Sequence, residues 1–85
     1  MSREDRIIKI LHEDLQPDQL KVDNNSYLHK GHLGDDGTLE THYKVTVESN
    51  KLKGVSRVEA HKAVKRALKE EFDSGLHALE IKIVR

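Results

Sequence analysis

Cysteine is absent from the 85 residues, which removes disulfides, thiolate nucleophiles and all-thiolate metal sites from consideration. Neither sign of charge is in excess: 15 basic residues face 15 acidic ones. That balance argues against holding nucleic acid by bulk charge, while leaving room for a local basic face. No apolar run approaches the roughly 20 residues that span a bilayer. The first residues, Met1-Ser2-Arg3-Glu4-Asp5-Arg6, are charged and lead into a helical pattern, not into the apolar core of a signal peptide. A cytoplasmic location with no membrane partner is the resulting expectation. Hydrophobic and charged residues each make up 35% of the chain. The apolar residues recur periodically, which predicts folding, and the length predicts one domain over residues 1–85 with one modest core.

Proline occurs once, as Pro17, and marks the end of the first predicted helix. Ser2 can cap that helix with Asp5 three residues on, and Ile7, Ile8, Leu11 and Leu15 recur at helical spacing. Leu20-Lys21-Val22-Asp23 alternates as a short edge strand. Residues 24–38 lose the pattern, and Gly31, Gly34 and Gly37 predict a flexible glycine-rich loop. Alternation resumes over Thr41 to Glu48, with Tyr43, Val45 and Val47 on one face and His42, Lys44 and Thr46 on the other. After a turn at Asn50 to Gly54, Ser56 and Glu59 form a capping-box pattern. The helix that follows carries His61, Val64, Leu68 and Phe72 on one face and stops at Gly75. A last strand, His77 to Ile83, turns Leu79, Ile81 and Ile83 one way and should place His77 at the rim of the buried face. The order helix–strand–strand–helix–strand predicts an α+β domain. A hairpin of the first two strands, a helical crossover to a third parallel strand, and two helices on one face of a three-stranded mixed sheet complete it.

Six histidines in a cysteine-free chain pose a metal question, because neutral imidazole ligates zinc, iron and copper. His29 and His32 lie in the glycine-rich loop and His77 opens the last strand. His29-x-x-His32 alone is not a closed zinc site, which takes four ligands. A mononuclear zinc or iron site on the isolated domain is one reading of these residues. His61 reads as a packed structural residue and His42 as a sheet-face residue, while His12 has no partner that the sequence identifies. Catalysis finds little support: Ser26, Ser49 and Ser56 stand in turn or cap contexts, and Asp35-Asp36 is a solvated loop pair. The expectation is a non-enzymatic protein. Lys51, Lys53, Arg57, Lys62, Lys65, Arg66 and Lys69 place seven cations in residues 51–69 against one acidic residue, Glu59. Such a segment is either a solvated face or a phosphate-contacting one, with Lys53, Arg57, Lys62, Lys65, Arg66 and Lys69 as the candidates.

Glu40-Thr41-His42-Tyr43-Lys44-Val45, Lys53-Gly54-Val55-Ser56, Glu59-Ala60-His61-Lys62-Ala63-Val64 and Gly75-Leu76-His77-Ala78-Leu79 occur in that order, with Asn25-Ser26-Tyr27 ahead of the loop. Together they resemble the BolA-like family over nearly the whole chain. The resemblance implies a compact αββαβ fold similar to class II KH domains. It also implies a monothiol glutaredoxin partner, with its glutathione, and a shared bridging [2Fe–2S] cluster in iron–sulfur trafficking or iron regulation. The family's ligand in the histidine-alanine-leucine motif falls on His77. The loop ligand, cysteine or histidine in different subgroups, is matched here by His29, with His32 in reserve. Imidazole in place of thiolate makes the cluster environment less anionic and raises its potential. Two histidines do not complete four ligands, so the chain alone should be a cluster-free monomer. Some family members are described as DNA-binding regulators acting through the second helix and its preceding turn. The arginines common around that helix's histidine are replaced here by Ala60 and Lys62, and lysine lacks the bidentate fork of arginine.

Overall fold

The computed structural model describes residues 2–26 and 41–84; His29, His32 and residues 27–38 of the glycine-rich loop lie outside the described residues. The elements are α1 (Arg3–Leu15), β1 (Gln19–Asn24), β2 (His42–Glu48), a 3-10 turn (Asn50–Leu52), α2 (Arg57–Ala67), α3 (Lys69–Asp73) and β3 (Ala78–Ile83). The sheet order is β1-β2-β3, with β1 antiparallel and β3 parallel to β2. This is the mixed three-stranded sheet that the sequence order implied.

Local chemistry sets the boundaries. Ser2 and Asp5 make both halves of a capping box at the start of α1, satisfying two helix donors. Gln16 closes α1 in the left-handed region, its N–H donating to His12 O at 3.2 Å, and Pro17 bars continuation. The Ser49 hydroxyl donates to Leu15 O, tying the exit of β2 to the end of α1. Gly54, at φ +82°, supplies the left-handed turn that leads to Ser56, whose Oγ accepts from Glu59 N at 3.1 Å. The single second helix expected from the spacing is broken into two. Leu68 leaves helical geometry at φ −100°, ψ 18°, although it is fully buried. Burying Leu68 and swinging the chain back toward β3 takes precedence over a straight helix.

One face of the sheet carries the core. Tyr43, Val45 and Val47 pack with Ile7, Leu11 and Leu15 of α1 and with Ala60, Val64 and Leu68 around α2; Leu52 and Leu76 close the ends. Leu79, Ile81 and Ile83 are half-buried on the same side, with Ala78, Glu80 and Lys82 exposed between them. The parity read from the sequence therefore holds in both β2 and β3. His77 is the exception. It precedes β3 and is exposed, not tucked under the rim of the buried face, because the N–H groups of His77 and Ala78 both turn to Thr41 O, at 2.8 and 3.1 Å. With both amides committed to one carbonyl, the strand alternation starts only at Ala78.

A buried ion group holds the two ends of the helical layer together. The Arg3 guanidinium donates to Glu71 O at 2.8 Å, Glu71 Oε1 at 3.3 Å, Ser74 Oγ at 3.1 Å and Ser74 O at 3.2 Å. Arg6 Nε donates to both Glu71 carboxylate oxygens at 3.1 Å. Among the described residues no helix is long and apolar enough to cross a membrane.

Candidate metal centre

Parallel pairing brings the starts of β2 and β3 to one end of the sheet, with His42 opposite Ala78. Three residues knit that end. Ser26 Oγ accepts from Thr41 N and His42 N, each at 2.9 Å, and donates to His42 O at 3.2 Å. Ser26 N in turn donates to Asn24 Oδ1 at 3.0 Å, an Asx turn that fixes the direction of the chain leaving β1. Thr41 is fully buried; its carbonyl anchors the His77 backbone and its hydroxyl lies 2.8 Å from His42 Nδ1.

Two imidazoles meet over this node. His42 and His77 have ring centroids 5.3 Å apart and planes tilted by 51°. Their environments differ: His42 is 7% exposed, whereas His77 is exposed. His77, the candidate ligand that the family resemblance implied, thus stands where another molecule can reach it. His42, read from sequence as a sheet-face residue, is buried and its Nδ1 is engaged. The spacing signal for this pair was present, since parallel strands put both histidines at strand starts on the same end. His29 and His32, three and six residues after Ser26 in sequence, lie outside the described residues. No group of three or more metal-ligating side chains occurs among the described residues.

The other histidines do different work. His61 Nδ1 lies 2.7 Å from Arg57 O and Nε2 3.1 Å from Ile81 O. Both acceptors are carbonyl oxygens, so a neutral ring donates to one of them and only the imidazolium to both. In β3 the amides of Ala78 and Val84 point to β2, so the Ile81 carbonyl faces the free edge, and His61 covers it there. The expectation of a structural histidine is met, through polar contacts more than apolar ones. His12 is exposed on α1.

Lys53, Arg57, Lys62, Lys65, Arg66 and Lys69 are all exposed, but they do not act as one patch. Arg57, Lys62 and Lys65 surround Val58, which is 64% exposed, in a shallow depression beside His61. Lys62 and Arg66 each lie 3.8 Å from the Glu59 carboxylate. Lys69 donates to Asp73 at 3.0 Å, and that hydrogen bond, together with the carboxylate's charge, raises the Lys69 ammonium above the usual lysine range.

The family description "BolA-like protein" matches residues 11–84. The chain belongs to the BolA-like family. The UV-induced protein uvi31 of Schizosaccharomyces pombe is 45% identical over 84 residues, covering 95% of this chain and 82% of that protein. The DNA-binding transcriptional regulator BolA of Vibrio cholerae is 38% identical over 78 residues, covering 92% of this chain and 70% of that one. Among solved structures, BolA1 from Arabidopsis thaliana superposes with a TM-score of 0.87 at 38% identity, covering 98% of this chain and 90% of its own. The BolA domain of SufE1 from the same plant gives a TM-score of 0.87 at 40% identity, covering 98% and 91%. The mixed sheet and its helical layer are therefore the BolA architecture, a fold compatible with the KH-like description. Of these relatives, the Vibrio cholerae protein is named a transcriptional regulator and the Arabidopsis BolA1 carries the family's name.

Proposed function

We propose that this BolA-like chain is a non-enzymatic adaptor that pairs with a monothiol glutaredoxin and lends histidine ligands to a bridging [2Fe–2S] cluster. The observation that carries the reading is His77. Its backbone is fixed by Thr41 while its ring is exposed beside a second imidazole. A ligand for a cluster shared with another protein needs both a rigid base and an open side. The donor set also fits: without thiolates, the chain offers imidazole only, and a cluster of this kind accepts histidine on one iron. His77 and one of His29 and His32 would be this chain's share, and the glutaredoxin with its glutathione would provide the rest. Imidazole ligands are lost on protonation, so acid should release the cluster from this side first.

Anaerobic co-purification with a monothiol glutaredoxin, followed by optical spectroscopy, tests the reading. The wild-type mixture should give a spectrum distinct from that of the glutaredoxin homodimer, and His77→Ala should return the homodimer spectrum. An unchanged spectrum for that variant would remove His77 as a ligand.

A second reading, DNA-binding regulation, is favoured by the cationic rim of Arg57, Lys62 and Lys65 around Val58 and by the name of the Vibrio cholerae relative. If those three side chains neutralise phosphates, replacing all three with alanine should lower the slope of log affinity against log salt by about three. Binding with no salt dependence, or a slope that the triple variant leaves intact, would exclude this surface.

A further inference from the structure

Among the described residues β3 has one neighbour in the sheet, β2, so its other side is an open ladder edge. Ala78 N and Val84 N donate to Thr41 O and Val47 O. The two-residue period of a strand then turns the amides of Glu80 and Lys82 to β2 and those of Ile81 and Ile83 outward. Beside this edge lies a depression of about 350 Å³, lined by Arg57 and His61 from α2 and by Ile81 and Ile83 from β3. We infer that this groove binds an extended peptide that adds a strand to β3, with aliphatic side chains toward α2 and acidic ones on the other face.

In strand addition the backbone supplies affinity and the side chains supply selectivity. Toward α2, Ile81 and Ile83 are only half-buried, which leaves apolar surface for an aliphatic neighbour. The opposite face of β3 carries Glu80 and Lys82 at the groove. Lys44 stands opposite Glu80 in the β2–β3 register and offsets its charge. The side chains of Arg57 and Lys82, by contrast, enter no ion pair among the described residues. A carboxylate complements both. No phenylalanine, tyrosine or tryptophan lines the groove among the described residues, so bases have no such ring to stack on there, and Glu80 repels phosphate. The lining therefore favours a peptide over a single strand of nucleic acid.

His61 restricts entry. Its Nε2 lies 3.1 Å from Ile81 O, so whichever ring nitrogen carries the hydrogen, the imidazole occupies one approach to that oxygen. The Ile81 and Ile83 amides carry no such cover. A peptide can pair with these amides while the ring stays in place, and it gains a further bond when the ring swings aside. Together His61 and the Lys82 charge keep the edge from pairing indiscriminately. The groove involves none of the candidate cluster ligands, so it does not depend on the adaptor reading.

An acetylated and amidated peptide of about eight residues, alternating valine and glutamate, tests the groove when titrated into the full-length chain. Amide NMR and hydrogen exchange report its binding. Protection should rise at the Ile81 and Ile83 amides and stay unchanged at Glu80 and Lys82, the alternation that strand addition produces. Lys82→Glu and Arg57→Glu, at exposed positions, should each weaken binding at least about fivefold. A proline at the centre of the peptide, which removes a ladder donor, should weaken it about tenfold. His61→Ala, which uncovers the Ile81 oxygen, should tighten it about fivefold, the worth of one hydrogen bond. No binding at millimolar peptide, protection without that alternation, or an affinity that neither charge reversal lowers overturns the groove as a peptide site. Oligothymidine shifting the same amides where the peptide does not would overturn it too, in favour of nucleic acid.

Discussion

Glu71→Ala should destabilise the domain by about 3–5 kcal/mol, the cost of leaving a buried charge without its counter-charge. The side chains of Arg3 and Glu71 are each only 6% exposed, so little solvent screening reduces the loss. Arg3 keeps three acceptors after the change: the residue 71 carbonyl and the hydroxyl and carbonyl of Ser74. Its hydrogen bonds are thus largely preserved and the penalty is mainly one of charge. Arg6, at 38% exposed, can turn to water and contributes less. A domain of this size has about 5–10 kcal/mol of total stability. Loss of about 3 kcal/mol lowers Tm by roughly 12–24 °C. Urea unfolding and a thermal scan measure both. Glu71→Gln should lose less, because the amide still accepts from Arg3, and a paired Arg3→Met/Glu71→Leu variant should recover much of the loss. A drop below about 1 kcal/mol for Glu71→Ala would mean that Arg3 rehydrates and the triad is not a stabilising lock.

Ser26→Ala should cost about 2–4 kcal/mol and act on the end of the sheet that carries His42 and His77. The hydroxyl is the acceptor for two buried amides, Thr41 N and His42 N, and losing a buried amide's partner costs about 1–3 kcal/mol. Alanine preserves the packing volume but takes the acceptor from both. The effect should be local as well as global. In hydrogen exchange, the amides of Thr41, His42 and His77 should lose protection, whereas those of Leu11 and Val64, deep in the helical layer, should follow only the global loss. Unchanged exchange at Thr41 and His42 would show that Ser26 does not hold the node.

These two residues also mark where reading the chain falls short. Ser26 reads as an ordinary turn serine, and nothing in its neighbourhood announces that its hydroxyl stands in for a ladder partner 15 and 16 residues away. Glu71 follows Glu70 and precedes Asp73 as one of several helix-surface carboxylates. Only the break at Leu68, which turns α3 against α1, buries one of them on two arginines from the other end of the sequence. The break itself was hidden because Leu68 and Phe72 continue the helical spacing of Val64. His77 was misplaced from the same cause. Parity extrapolates a strand backwards, but the Thr41 carbonyl takes two consecutive amides and the alternation does not reach that far.

Apart from the break at Leu68 and the start of the last strand, the sequence by itself determined the elements, their order and the buried face of each, because side-chain period, capping residues and turn residues act over a few neighbours. Tyr43, Val45 and Val47 are core, and Ser2, Pro17, Gly54 and Ser56 stand where α1 ends or where α1 and α2 begin. The family motifs pointed to His77 as a candidate ligand. Tertiary structure alone decided which polar groups meet: His42 with His77, Ser26 with Thr41, Arg3 with Glu71, His61 with the edge of β3. Contacts between distant positions depend on register and on the angle at which elements pack. Those are set by the joint burial of the whole apolar face, a quantity that no local window of residues contains.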